Sequence, residues 1–258
     1  MLIGRAFFQT LIVAGMAVTT MLTATSLEAD SKVKHVFELF TSQSCYSCPP
    51  AEKLLGEIID ENDEILGLEF HVDYWDNLVY GSAGKWRDPY SSAEYSKRQR
   101  DYNRLRLKGR KGVYTPQMIV NGRHAFVGSK ISKANQHIKR ESDLVLDLDA
   151  VVSESGDLVV SVKGEHDTRA NVWLVIYEMK HVTEVPSGEN KGKTLENFNV
   201  VRDLKSIGKW RGMPVEYETE VGVLDENQHC AVIVQQYDSF LRSVSGPIIG
   251  AAICKVAS

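Results

Sequence analysis

Two of the four cysteines, Cys45 and Cys48, lie three positions apart in the stretch SQSCYSCPPAEKLL. A pair with this spacing can exchange electrons with other disulfides, bind a metal ion, or form a short structural disulfide. Disulfide exchange requires a thiolate, and the free N–H groups at the start of a helix stabilise that negative charge. We therefore expect Cys45 to be an exposed nucleophile, and Cys48, one turn inside the helix, to resolve the mixed disulfide.

Two alternatives to a catalytic dithiol stay open. The same cysteines could bind copper, with His71 or His124 as an added ligand, in the manner of exported copper carriers. Structural zinc is a weaker candidate because no second CxxC motif or tight histidine pair completes a tetrad. A purely structural disulfide would stabilise the fold little, since its contribution grows with loop length. A chain with structural disulfides alone would be a non-enzymatic binding module.

A strand, a helix and a second strand surround the cysteine pair. Residues 33–40 are rich in β-formers and lead directly into the motif. Pro49 and Pro50 follow, and proline is tolerated in the first turn of a helix, where its missing N–H has no partner anyway. Apolar residues then recur at helical spacing; they are Ala51, Leu54, Leu55, Ile58 and Ile59. Residues 64–75 form the second strand, so the dithiol lies at the helix start of a βαβ unit.

A β-hairpin is predicted at residues 114–129, YTPQMIVNGRHAFVGS, because Asn121-Gly122 is a strong two-residue turn signal. The preceding residues, 76–112, look like an insertion. Within it, residues 97–111 contain eight basic side chains and a single acid, Asp101. This basic segment is either a solvated helix face or a surface beside the dithiol that lowers the Cys45 pKa and docks an acidic partner.

The order of these elements resembles the thioredoxin superfamily, and YTPQMIVNG is similar to the glutaredoxin-type stretch in which the proline is cis. The resemblance implies that Pro116 packs against the dithiol and blocks metal binding there, and that the backbone of Thr115 pairs with an extended substrate. It also implies a buried acid that relays the proton of the second cysteine. Glu38, on the strand before the motif, is the candidate, because burial would raise its pKa towards neutrality. The alternative is an ordinary acid at a strand edge.

The pattern changes at about residue 143, after which strands alone are predicted. Apolar and polar residues alternate in several short segments, for example in residues 146–152. About seven such strands predict an antiparallel β-sandwich. Cys230 and Cys254 lie in the last two strands, where they either form a second, structural disulfide or remain buried free thiols.

The first 29 residues have the features of a secretory signal peptide. Arg5 is the only early charge, residues 7–22 are largely apolar, and small residues follow at Ala24, Ser26 and Ala29. The apolar stretch is short for a membrane span. We therefore expect a periplasmic or secreted protein, without a stable membrane span after cleavage, in a compartment that permits disulfides. The net charge of −4 gives no general reason to bind nucleic acid.

Six segments spread over the chain together resemble domain-of-unknown-function family 1223, a family of exported bacterial proteins. They are VFELFTSQSCYSCPPAEKLL, FHVDYWD, DPY, YTPQMIVNG, GENKGKTLENFNVVRDL and GPIIGAA. The resemblance implies a thioredoxin-like domain joined to a β-rich domain, and it supplies no established activity. The chain departs from the family pattern around residues 77–87, where the link to DPY is longer.

Together these patterns predict an α/β thioredoxin-like domain at residues 31–142, followed by an all-β sandwich-like domain at residues 143–258. The predicted function is thiol–disulfide exchange with protein or small thiol substrates. Its residues are Cys45, Cys48 and Glu38 for catalysis and Thr115 and Pro116 for substrate binding. No cofactor is needed beyond the Cys45–Cys48 pair, and copper enters only in the alternative interpretation, with His71 as a further ligand. The expected partners carry thiols or disulfides, and the sequence leaves the oligomeric state open.

Overall fold

The structure is a computed structural model, and it describes residues 32–104, 107–237 and 245–257. The predicted signal peptide, residues 1–29, lies outside the described residues. Within the described ranges, none of the helices combines the length and the apolar character that a membrane span requires.

The described residues form three α-helices and thirteen strands. The helices are α1 (Pro49–Glu61), α2 (Ala93–Arg104) and α3 (Ile131–Ile138). The strands in the first half are β1 (His35–Thr41), β2 (Ile65–His71), β3 (Lys108–Gly109), β4 (Gln117–Val120) and β5 (His124–Val127). Those in the second half are β6 (Asp147–Val152), β7 (Asp157–Lys163), β8 (Ala170–Glu184), β9 (Thr194–Trp210), β10 (Val215–Glu220), β11 (Gln228–Tyr237), β12 (Ser245–Ile253) and β13 (Lys255–Val256). Short 3-10 turns lie at Asp73–Trp75 and Gly81–Ala83.

Most of these strands belong to one mixed sheet of nine strands in the order β12-β11-β8-β9-β2-β1-β4-β5-β3. A second sheet has four strands in the order β10-β7-β6-β13. β1 pairs in parallel with β2 and antiparallel with β4. β8 and β9 form a long antiparallel hairpin, and β9 runs parallel to β2 where Glu69 is opposite Val200. The large sheet therefore continues across the boundary between the two halves of the sequence.

The predicted fold class, an α/β thioredoxin-like domain followed by an all-β sandwich, is wrong. The protein is mostly β, and strands from both halves of the chain form the nine-stranded sheet. At the junction, Asn199 Nδ2 donates to the Gly67 carbonyl at 2.9 Å. Gly56 of α1 leaves space for the Phe198 ring, to which an added Cβ would approach within 2.8 Å. Alternation of apolar residues identifies strands but does not say which strands become neighbours, so the sequence pattern missed this junction.

Both faces of the large sheet are covered next to β1. Successive β1 side chains point to opposite faces. Phe37 and Leu39 belong to a core shared with α1, whereas Val36 and Phe40 belong to a core shared with α2. A third core contains alternating residues of β6, β7 and β11, including Leu148, Val160 and Val232.

The predicted hairpin around Asn121 and Gly122 is confirmed by β4 and β5, which pair antiparallel. Both turn residues have positive φ angles, 50° and 62°, which is the backbone that a tight two-residue hairpin needs. Asn121 also accepts a hydrogen bond from the Val36 N–H through Oδ1 at 2.7 Å, which connects the turn to β1. This hairpin brings Pro116, the residue before β4, to the same end of the sheet as the end of β1.

Candidate functional site

A disulfide joins Cys45 and Cys48 at the start of α1. Cys48 is the N-cap residue, and the prolines at the first helical positions require no N–H partner. The Cys48 N–H donates to the Cys45 carbonyl at 3.2 Å, and the Cys48 carbonyl accepts from the Glu52 N–H at 3.2 Å. The positive end of the α1 dipole therefore lies at the cysteine pair, where it would stabilise a thiolate.

Neither sulfur of this pair is accessible in the disulfide state. Cys45 and Cys48 have 0% of their surface exposed, whereas Tyr46 between them is 62% exposed. The expectation of an exposed Cys45 is therefore wrong for this state. Because exchange requires direct contact between two sulfurs, part of the surrounding structure has to move before the pair can react.

One element in contact with the cysteine loop (residues 42–48, between β1 and α1) is the hairpin tip, which we define as residues 185–193 between β8 and β9. Asn190 Nδ2 donates to the carbonyls of Gln43 (2.8 Å) and Cys45 (3.0 Å). The Tyr46 N–H donates to Glu189 Oε2 at 2.6 Å. Asn190 is fully buried. A segment more than a hundred positions away in the sequence thus completes the polar contacts of the cysteine loop.

The second element in contact with the cysteine loop is the segment of residues 83–88, which begins at the last residue of the 3-10 turn Gly81–Ala83. Ser44 Oγ donates to the Trp86 carbonyl at 2.7 Å. The same segment contacts the hairpin tip, because the Gly188 N–H donates to the Ala83 carbonyl at 2.8 Å and Ser187 Oγ donates to the Lys85 carbonyl at 2.7 Å. These two elements therefore contact each other as well as the cysteine loop.

The Thr115–Pro116 peptide bond is cis. Gly128 lies between Pro116 and α1, since a Cβ added to it would be 3.3 Å from Pro116 Cβ and 3.0 Å from Ala51 Cβ. Pro116 is therefore next to the first turn of α1. Thr115 is half-buried and accepts a hydrogen bond at Oγ1 from Trp75 Nε1 at 2.8 Å.

Glu38 is buried in an ion pair with Arg98 of α2. Arg98 Nη2 lies 2.7 Å from Glu38 Oε1, and Tyr102 donates a hydrogen bond to Glu38 Oε2. Burial and the nearby Glu38 carboxylate raise the Tyr102 pKa well above its usual value, although Arg98 lowers it. By the alternation of β1, Glu38 shares the face of Val36 and Phe40, opposite to the α1 face. This location gives no support to a proton relay between Glu38 and the cysteines.

A buried acid does lie on the α1 side, and it is Glu52. It follows Cys48 by one helical turn and is 1% exposed. Thr41 Oγ1 donates to Glu52 Oε1 at 2.5 Å, and Oε2 has no hydrogen-bond partner within the described part of the chain. Burial, followed by the charge of Glu69, raises the pKa of Glu52 to about 8. Glu52 is therefore protonated below that pH and can lose its proton close to neutrality.

Next to Glu52, five buried residues form a closed ring of hydrogen bonds, which we call the polar ring; four links join side chains, and the fifth is made by the main-chain N–H of Gln43. His71 Nδ1 lies 2.7 Å from Asp88 Oδ2, and His71 Nε2 lies 3.2 Å from Glu69 Oε2. Asn197 Nδ2 donates to Glu69 Oε2 at 3.0 Å. Gln43 closes the ring by donating from Nε2 to Asn197 Oδ1 (2.9 Å) and from its N–H to Asp88 Oδ2 (2.7 Å). The ring thus connects the cysteine loop to β2 and β9.

The charges of the polar ring follow from its contacts. Burial alone would lower the His71 pKa, but the Asp88 and Glu69 carboxylates raise it to about 10, so His71 is a cation at neutral pH. That cation lowers the Asp88 pKa in spite of burial. Burial raises the Glu69 pKa, against the hydrogen bond and charge of His71. A buried imidazolium and carboxylate therefore lie beside Glu69, whose pKa is raised, and near Glu52, which favours its protonated form.

Within the described residues, the structure gives no preformed metal site for the alternative interpretation. Among the residues that the structure describes, no group of three His, Cys, Asp or Glu side chains has a geometry that could bind a metal ion. His71, the candidate ligand, has a carboxylate within hydrogen-bond distance of each ring nitrogen. Copper binding through Cys45, Cys48 and His71 would require these contacts to be replaced.

Cys230 of β11 and Cys254, between β12 and β13, form a second disulfide with a Cα–Cα distance of 5.3 Å. Of the two alternatives that the sequence left open, a second disulfide or two buried free thiols, the structure has the disulfide. It lies beside the antiparallel pairing of β11 and β12, where the Cys254 N–H donates to the Cys230 carbonyl at 2.9 Å. Two disulfides fit a protein located outside the reducing cytoplasm.

The sequence patterns did not predict several residues of this site. Glu52 lies within the apolar stripe of α1, next to Ala51 and one turn before Leu55, and a charge in such a stripe is a usable signal of a buried acid. Asp88 belongs to the DPY segment, but nothing in that segment alone indicates His71 as its partner. The contact of Asn190 with the cysteine loop depends on sheet order and has no local signal.

The comparisons with known proteins agree with this architecture. The family described as "Protein of unknown function (DUF1223)" matches residues 36–235. The crystal structure of protein AGR_C_4864 from Agrobacterium tumefaciens is similar at 31% sequence identity and a TM-score of 0.71, with 87% of this chain and 95% of that chain covered. No curated protein matches the chain. The resemblance to domain-of-unknown-function family 1223 is thereby confirmed, and the chain belongs to this family.

Proposed function

We propose that the protein is a thiol–disulfide oxidoreductase whose redox centre is the Cys45–Cys48 pair. The observation that carries the proposal is the buried Glu52 one turn along α1 from Cys48, with a pKa raised to about 8 and an Oε2 without a partner in the described residues. A structural disulfide needs no proton donor, whereas reduction of a disulfide to two thiols takes up two protons. An acid that titrates near neutral pH suits that proton transfer.

The exchange starts when a substrate thiolate attacks Cys45 Sγ and displaces Cys48 as a thiolate. Glu52 gives its proton to Cys48, and a mixed disulfide remains between Cys45 and the substrate. A second substrate thiolate attacks the substrate sulfur of that mixed disulfide, so the substrate leaves oxidised and Cys45 leaves as a thiolate. Two electrons have then passed to the cysteine pair, and Glu52 recovers a proton from solvent. The reverse sequence reduces a substrate disulfide, with Cys45 as the nucleophile and Glu52 as the base for Cys48.

Thr115 and Pro116 contribute substrate contacts in this proposal. Pro116 lies next to the first turn of α1, and Thr115 is half-buried at the start of the β4–β5 hairpin. A substrate polypeptide that reaches Cys45 would run past these two residues. The partners are proteins or small molecules with thiols or disulfides, and no dissociable cofactor takes part.

The proposal includes export. Two disulfides are stable in an oxidising compartment, and the signal-peptide features of residues 1–29 give a route there. The protein would act in the periplasm or after secretion, where exported proteins form and exchange their own disulfides.

Trapping of partners tests the proposed exchange. In Cys48→Ser, Cys45 can still form a mixed disulfide, but the resolving thiol is missing, so substrate adducts accumulate. We expect reductant-sensitive adducts in the exported fraction with Cys48→Ser and none with the double variant Cys45→Ser/Cys48→Ser. Mass spectrometry of the bands locates the bond at Cys45. Absence of adducts from Cys48→Ser, together with copper retained by the reduced wild-type protein, would refute the oxidoreductase and favour the copper carrier.

A further inference from the structure

The cysteine loop has main-chain groups whose hydrogen-bond partners lie in the hairpin tip. Asn190 Nδ2 donates to the carbonyls of Gln43 (2.8 Å) and Cys45 (3.0 Å), and Glu189 Oε2 accepts from the Tyr46 N–H at 2.6 Å. The two carbonyls are buried, and buried polar groups are costly to leave without partners, whereas the Tyr46 N–H lies at the exposed edge of the loop. Whatever replaces the hairpin tip must therefore supply donors to the two carbonyls, and it can also supply an acceptor to the N–H.

An extended polypeptide can supply those groups. Its backbone offers N–H donors and C=O acceptors in alternation along one edge, which is the set that Asn190 and Glu189 supply through their side chains. A small thiol without a peptide backbone offers no such set. The main-chain groups of the cysteine loop that bond to the tip are therefore matched better by a polypeptide partner than by a small molecule.

The hairpin tip is attached mainly by polar contacts, and Val185 at its base is its buried apolar side chain. Outside the cysteine loop, Ser187 Oγ and the Gly188 N–H donate to the carbonyls of Lys85 and Ala83. Lys193 Nζ donates to Asn190 Oδ1 at 2.9 Å and lies 3.9 Å from the centroid of the Tyr46 ring. Segments with few apolar contacts open at low free-energy cost relative to the core. The β8–β9 ladder ends at the pair of Glu184 and Thr194, so the tip lies beyond its last strand pair.

We propose that the hairpin tip occupies the polypeptide-binding surface of the Cys45–Cys48 disulfide, and that a substrate polypeptide reaches Cys45 by displacing it. Small thiols then react slowly with the disulfide, and the site opens for a chain that replaces the contacts of Asn190 and Glu189. This inference rests on the proposed function, since it names the partner and the regulation of the same site. It also explains why a redox pair has no exposed surface.

Selective reduction of the two disulfides tests the inference in the wild-type protein. Dithiothreitol is added under native conditions, samples are alkylated at intervals, and mass spectrometry measures the reduction rate of each disulfide. In Asn190→Ala, two hydrogen bonds to the cysteine loop are lost, so we expect Cys45–Cys48 to be reduced about tenfold faster than in the wild type. Cys230–Cys254 is the internal reference, and its rate should not change.

Lys191→Ala is the matched control, because Lys191 lies in the same tip with an exposed side chain. It should leave both reduction rates at their wild-type values. An Asn190→Ala rate equal to the wild-type rate would overturn the inference. If Asn190→Ala accelerates both disulfides alike, the whole fold is weakened, and Glu189→Ala decides instead: selective acceleration of Cys45–Cys48 supports the inference, and no acceleration overturns it.

A peptide probe tests the partner chemistry. The wild-type disulfide should react faster with a short unstructured peptide containing one cysteine than with free cysteine, and Asn190→Ala should reduce that preference. An unchanged preference in the variant would overturn the assignment of a polypeptide surface. Failure of the proposed function looks different: Asn190→Ala would open the site, yet Cys48→Ser/Asn190→Ala would trap no adducts.

Discussion

Replacement of the buried carboxyl of Glu52 by an amide should change how the stability of the protein depends on pH. Glu52 is fully buried, and burial raises its pKa from 4.5 to about 8. In Glu52→Gln the side chain stays neutral at every pH, and its carbonyl oxygen can still accept the hydrogen bond that Thr41 Oγ1 donates to Oε1 at 2.5 Å. The substitution therefore removes the titration with little change in shape.

The sign of the effect follows from the proton balance. Between pH 4.5 and about 8, Glu52 is ionised in the unfolded chain and protonated in the folded protein. The folded state binds one more proton, so this group lowers the free energy of unfolding by about 1.4 kcal/mol for each pH unit of increase. Over the whole interval, the free energy of unfolding falls by roughly 5 kcal/mol. The full loss is reached only above the pKa of Glu52 in the folded protein.

Urea unfolding of the wild type and Glu52→Gln at several values between about pH 5.5 and about pH 7.5 measures this difference. The free energy of unfolding should fall more steeply with pH in the wild type, by about 1.4 kcal/mol per pH unit. Because Glu52 is protonated in the folded protein over this range, the amide reproduces its charge and leaves Glu69 and His71 in their wild-type environment. Glu57→Gln, an exposed site on the same helix, is the control and should follow the wild-type slope. Parallel pH dependences of the wild type and Glu52→Gln would refute the raised pKa.

The remaining predictions concern stability. Arg98→Met leaves the buried Glu38 carboxylate without its ion-pair partner and should lower the free energy of unfolding by about 3–5 kcal/mol; a loss below about 1 kcal/mol in urea unfolding would contradict the buried pair. Cys230→Ala/Cys254→Ala removes a link between residues 24 positions apart and should cost about 3 kcal/mol, mainly through the entropy of the unfolded chain. If the midpoint temperature of thermal unfolding is the same in that double variant as in the wild type, the second disulfide does not stabilise the fold.

Local signals predicted the elements around the cysteine pair. The β-rich residues before the motif correspond to β1, and the prolines and the apolar stripe after it correspond to α1. The strand predicted at residues 64–75 corresponds to β2, which ends at His71. Asn121-Gly122 predicted its hairpin because both residues tolerate positive φ angles. These signals succeed because each depends on a few residues that are neighbours in the sequence.

The surroundings of the disulfide were not predictable in the same way. Glu38 was the acid expected to serve the cysteines. Because side chains alternate along β1, Glu38 lies on the face that packs against Arg98, and Glu52 is the acid on the α1 face. Which face of β1 meets α1 is decided by the packing of a whole helix on the sheet. A strand pattern read in isolation contains two equivalent faces, so the choice between them requires the tertiary structure.

The amino-acid sequence by itself determined the cysteine motif, the helix that begins at Pro49, the tight turn at Gly122 and the family to which the chain belongs. The tertiary structure alone decided that β9 pairs with β2, that Asn190 contacts the cysteine loop and that His71 bridges Glu69 and Asp88. The physical reason is the range of the interactions. Turn and helix preferences act between adjacent residues, whereas the order of strands in a sheet depends on the summed burial and hydrogen bonding of segments far apart in the chain.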